Sequence, residues 1–150
     1  MEALGAISSI LSLLDVVICS SNAIHSLISN WRDVPIEIIA LANEASDSKA
    51  VLNQACHLLH QIKDIPPSQT FGPAHSLALD IERQINQAIP IWNKLQDALS
   101  KFGGREDEAM TCSKSNRLRW LKCRRKIDQM KRGLREKRIN IMELIVASSA

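Results

Sequence analysis

"RLRWLKCRRKIDQMKRGLREKR", residues 117–138, carries eleven Lys or Arg against two acids, Asp128 and Glu136. Charge alone reads as a basic tail. The apolar residues say otherwise. Trp120, Cys123, Ile127, Met130 and Leu134 recur at steps of three and four, and Ile141 and Leu144 extend the series, broken by Lys137. That period is one face of a helix. The segment is therefore expected to bury a stripe against other helices, with its cations on the flanks. Gly133 weakens such a helix by roughly 1 kcal/mol relative to Ala.

Three more stretches share this period. The first, about residues 2–30, places Leu4, Ile7, Leu11, Leu14, Ile18 and Ile28 on a stripe widened by Ile10, Val17, Ile24 and Leu27. Ser8, Ser12, Asp15, Asn22, Ser26 and Ser29 lie opposite. The second, about 35–63, opens on Asp33 as a capping carboxylate and Pro35 near the first turn. Its apolar side is Ile38, Leu41, Ala45, Leu52, Ala55, Leu59 and Ile62, and Pro66 and Pro67 forbid its continuation. The third, about 73–102, aligns Leu77, Ile81, Ile85, Ala88, Trp92, Leu95 and Leu99. Pro90 inside it predicts a kink or local break, and Gly103 and Gly104 predict its end. The fourth helix spans about 115–147, after a mobile loop at about 103–114. The expectation is an all-α fold: one domain over 1–150, an elongated up-and-down bundle whose sequential helices are antiparallel neighbours.

Composition agrees. Apolar residues make up 45% of the 150, aromatics 3%, and Tyr is absent. A core of Ile, Leu, Val and Ala suits helix packing, and few aromatics argue against base-stacking readers of single strands. The net charge of +3 hides an asymmetry. Residues 117–138 hold +9 (eleven minus two), so the rest sum to −6. Cys19, Cys56, Cys112 and Cys123 are widely spaced, which reads as reduced intracellular thiols. The N-terminus lacks a basic n-region and a small-residue cleavage site, arguing against a secretory signal.

Chemistry is sparse. There is no nucleophile elbow, phosphate-cradling Gly loop or H-E-x-x-H, so no catalytic residue is assigned and no enzyme is expected. Cys56 and His60, with His57 between them, have ligand-like spacing but no second pair to complete a metal site. No cofactor or metal is expected. The cations Arg117, Arg119, Lys122, Arg124, Arg125, Lys126, Lys131, Arg132 and Arg135 form the candidate patch. Its partner is anionic lipid, another protein or only solvent. Duplex reading is disfavoured, because no helix-turn-helix partner, zipper or zinc-ligand set accompanies the helix. In the first helix, Asp15 divides uncharged runs of twelve and sixteen residues. No uncharged apolar run reaches about 18, so no standard spanning helix is expected. An aspartate in mid-helix is costly in lipid unless paired or facing water.

The N-terminal "MEALGAISSILSLLDVV", then "WRDVPIEIIALANEASDSKAVL", then "LRWLKCRRKIDQMKRGLREKRINIMELIVAS" resemble the HeLo-like, or fungal N-terminal, domain of STAND-class receptors of the NACHT and ankyrin type. The likeness spans nearly the whole chain and rests on the order and spacing of the three motifs. It implies a helical bundle distantly similar to those of the animal necroptosis pseudokinase and some plant resistance proteins. It also implies a cytoplasmic, NLR-like role in innate immunity and programmed cell death. Such domains oligomerise with further copies, and the apolar N-terminal helix then goes to the inner face of the plasma membrane. Here that role falls to Leu4, Ile7, Ile10, Leu11 and Leu14. Arg119-Trp120-Leu121 matches the architectural start of the family's last helix. The alternative is an adaptor that binds itself or another protein and never touches membrane. A nucleotide-binding domain after residue 150 would favour a receptor input.

Overall fold

The computed structural model describes residues 2–31, 33–64, 73–100 and 113–148, with side chains from residues 3, 76 and 118 onward in the first, third and last of these. All four segments are helical: α1 Glu2–Asn30, α2 Ile36–Lys63, α3 Pro73–Ser100 and α4 Ser113–Ser148. Among the described residues there is no strand. At 1.5 Å per residue, α4 alone is about 54 Å long, so the all-α bundle is elongated. Of the loop expected at about 103–114, residues 103–112 lie outside the described ones, while Ser113 and Lys114 already belong to α4.

Packing departs from the simple expectation in one respect. α1 and α4 each pack on both α2 and α3, whereas α2 and α3 barely touch. Sequential α2 and α3 therefore lie across a diagonal. The rule that short links join neighbours fails here because nine residues, 64–72, connect them. Such a link reaches about 30 Å when extended, ample for a bundle diagonal. Contacts give the directions. Gly133 lies on Ile91, Lys137 Nζ donates to Gln87 Oε1 at 2.7 Å, and Asn140 Nδ2 donates to Gln84 Oε1 at 3.1 Å. Each step along α4 matches an equal step back along α3, so this pair is antiparallel. Trp31 meets Trp120 edge to face, with ring centroids 6.4 Å apart, and Arg124 reaches Glu37. Hence the α1–α2 corner sits beside the start of α4, and α2 and α4 run parallel.

The apolar faces expected of α2, α3 and α4 largely point inward. Ile38, Leu41, Leu59, Ile81, Ile85, Leu95, Leu99, Ile127 and Leu134 are fully buried. Each large aliphatic side chain contributes about 1.5–3 kcal/mol on leaving water. α3 continues as one helix through Pro90, whose ring is exposed. The carbonyl that loses its donor is that of the exposed Asn86, which water can reach.

Three local expectations are corrected. Asp33 does not cap α2. Pro35 itself is the N-cap residue (φ −58°, ψ 143°), with no side-chain capping bond, and its carbonyl accepts from Ile38 N at 3.0 Å. Second, the α1 stripe is rotated. Ile7 and Ile10 are buried as expected, Leu14 is half-buried, but Leu4 and Leu11 are 49% and 52% exposed and Ile18 is exposed with them. Ala3, Ala6, Leu13 and the hydroxyl residue Ser20 take the inner line instead. Small side chains let α1 approach two helices at once, which outweighs the greater hydrophobicity of Leu4 and Leu11. Third, Ala3–Asn30 is long and apolar enough, by length and composition, to cross a membrane. One Asp in 28 residues leaves the average apolar, so Asp15 interrupts the uncharged run without making the helix polar. The core helix of a soluble protein passes the same test.

Candidate functional site

The charged flanks of α4 divide into two groups. One is consumed within the bundle. Arg138 Nε and Nη2 donate to Glu44 Oε1 and Oε2 at 2.8 and 3.3 Å, a two-pronged pair in which the Glu44 side chain is 8% exposed. The Glu44 hydrogen bond raises the Arg138 pKa above its ordinary value; burial opposes the rise, and the charges of Glu44 and Asp47 assist it. Arg138 is thus a permanent cation at the α2–α4 seam. Nearer the start of α4, Arg124 Nη2 lies 2.7 Å from Glu37 Oε1. Arg124, a member of the expected patch, therefore has an internal partner. Nothing in one-dimensional spacing pairs residue 124 with 37 or residue 138 with 44. Only the parallel packing of α2 on α4 does.

The second group faces outward. Arg119, Lys122, Arg125, Lys126, Arg132 and Arg135 are exposed and Lys131 is half-buried; among the described residues none of them has a carboxylate within ion-pair range. The Arg117 side chain lies outside the described ones. Between these cations stand two residues that the stripe argument passed over. Leu118 and Leu121 are 62% and 59% exposed. Both lie off the period of three and four defined by Trp120 and Ile127, which was the available signal. The first half of α4 thus presents guanidinium and ammonium groups interleaved with bare leucines. Its second half presents Glu136 and Glu143 to solvent with Ile139 and Val146.

α1 carries the other candidate surface. Of the five residues expected to act at a membrane or between copies, Ile7 and Ile10 are in the core and Leu14 packs against it. Leu4 and Leu11 remain on the outside, and with Ile18 they form an exposed series spaced by seven, beside Ser8 and Asp15. The expected five do not form one surface in this packed state.

Elsewhere, Leu58, Ile62, Leu77 and Leu144 line an apolar groove at the far end of α4, with Asp80 at its edge. Cys56 is half-buried and His60 exposed; His57 pairs with Gln61 rather than with either. Among the described residues no three potential ligands converge on a metal position. No family model matches the chain, and neither does a curated protein nor a solved structure.

Proposed function

We propose that this bundle is a non-enzymatic effector or signalling domain that associates with anionic membrane through the first half of α4 and works as an oligomer. The reading is carried by one observation: Leu118 and Leu121 stand exposed among Arg119, Lys122, Arg125 and Arg132. Cations draw the helix to a negative surface, each contributing about 1 kcal/mol near an anionic leaflet. The leucines then enter the headgroup layer. The resemblance to HeLo-like domains supports the same direction, with a place in fungal STAND-type cell-death signalling and cytoplasmic residence as part of the proposal. α1 contributes a helix with the length and composition to enter a bilayer once released.

Co-sedimentation with phosphatidylcholine vesicles, with and without phosphatidylserine, tests this. The wild-type chain pellets only with anionic vesicles. The triple variant R119E/R125E/R132E, which touches no internal ion pair, stays in the supernatant. Unchanged binding by that variant would overturn the membrane role of α4.

A second reading is favoured by the seven-residue spacing of Leu4, Leu11 and Ile18 on the outside of α1. That stripe fits an adaptor that self-associates without membrane. It predicts oligomers by light scattering that L4Q/L11Q/I18Q abolishes, with no vesicle binding by the wild-type chain.

A further inference from the structure

The basic face is not evenly charged. Leu121, Arg124, Arg125, Asp128, Gln129 and Arg132 line one open groove. Arg125, Gln129 and Arg132 follow one another at steps of four and three, so they form a single ridge along α4. Arg125 and Arg132 are about 10.5 Å apart along the axis, and Gln129 lies between them. An arginine side chain reaches about 6 Å from its Cα, so both guanidiniums can meet over the Gln129 amide. Arg124 flanks the same groove, with Nη2 held on Glu37. Asp128 also lines the groove, beyond ion-pair range of Arg125 and Arg132, so with Arg124 answered by Glu37 these two are the guanidiniums left for an anion.

We infer that this ridge is a recognition site for a phosphomonoester, with Arg125 and Arg132 as the two forks and Gln129 as a neutral donor between them. The inference rests on the membrane reading above and sharpens it from surface charge to a headgroup. A monoester presents three terminal oxygens and about −1.5 to −2 charges at neutral pH. Two guanidiniums can each grip it in bidentate fashion by sharing one oxygen. A phosphodiester offers only two non-bridging oxygens and one charge, so one fork is left incompletely engaged. The carboxylate of phosphatidylserine is a separate group that does not complete the phosphate. Leu118 and Leu121, one to two turns toward the start of α4, are placed to enter the lipid layer beside a headgroup held there.

The experiment compares the full chain on vesicles of equal surface charge made anionic either with phosphatidylserine or with phosphatidic acid. Binding to the phosphatidic acid vesicles is expected to be about tenfold tighter, from the added fork. The double variant R125K/R132K keeps every charge but loses both forks. It should bind phosphatidylserine vesicles as before and lose the preference. Soluble glycerol phosphate separates the sources. If it displaces the protein only at millimolar concentration, the ligand is the headgroup at a membrane; displacement at micromolar concentration assigns the site to a free phosphate. Equal affinity for the two vesicles, or a preference that survives R125K/R132K, overturns the clamp. Loss of all vesicle binding in R119E/R125E/R132E alongside equal affinity would leave the membrane reading standing without it.

Discussion

Arg138→Met is the sharpest test of how the bundle is held. The guanidinium of Arg138 neutralises Glu44 at the parallel α2–α4 seam, and the Glu44 side chain is almost wholly enclosed. Met fills similar volume but leaves the carboxylate buried without a cation, and Asp47 nearby loses the same counter-charge. Breaking a buried pair this way destabilises by about 3–5 kcal/mol; because Arg138 itself is 19% exposed, about 3 kcal/mol is the appropriate value. Glu44→Leu alone strands the arginine, which can turn toward water, so its cost is smaller, about 1–2 kcal/mol. The double variant replaces both charges with apolar groups and should lie within about 1 kcal/mol of wild type. The two singles sum to about 4–5 kcal/mol, so with the double variant near wild type the coupling energy is about 4 kcal/mol. Arg124→Ala is the control. Its pair with Glu37 is half in solvent and should contribute less than about 1 kcal/mol. Urea unfolding followed by circular dichroism at 222 nm, with tryptophan fluorescence as second probe, measures all four. If Arg138→Met falls within 0.5 kcal/mol of wild type, or the double variant is no better than the single, the seam is not electrostatically organised as described.

Other outcomes follow from the same packing. Gly133→Ala should stabilise by about 0.5–1 kcal/mol, because helix propensity improves and the new Cβ would sit 3.4 Å from Ile91 Cδ1, close to ordinary contact; a fall in the urea midpoint would mean that Ile91 cannot yield. Ser20→Ala should stabilise by about 1 kcal/mol, since the buried Ser20 hydroxyl has no hydrogen-bond partner among the described residues, and an unchanged midpoint would mean that the hydroxyl is satisfied in solution. On α1, Leu13→Ala should cost about 2–5 kcal/mol and Leu11→Ala under about 1 kcal/mol. Equal losses at the two positions, read from urea midpoints, would restore the unrotated stripe.

Much of the architecture was legible in the one-dimensional pattern. Seven apolar positions at helical spacing in α3, from Leu77 to Leu99, all face the core or pack against it, because a helix facing two neighbours needs only one stripe. The same logic misplaced α1. Leu4, Leu11 and Ile18 satisfy the period as well as Ile10, Leu13 and Val17 do, and hydrophobicity does not separate the two sets. Close approach of helices rewards Ala3 and Ala6, and no single-helix pattern contains the distance to a neighbour. The candidate site divided in the same way. The list of cations was readable; which of them are spent was not.

The sequence by itself determined that this protein is all helical, where its helices run, and that residues 117–138 form an amphipathic helix with a buried stripe instead of a free basic tail. Local periodicity and helix-breaking residues carry that information within each segment. Tertiary structure alone decided that α2 and α3 lie across the diagonal, that Arg124 and Arg138 are answered by Glu37 and Glu44, and that Leu118 and Leu121 stand bare beside Arg125 and Arg132. Those facts depend on which helix faces which, a relation between segments far apart in the chain that no local spacing encodes.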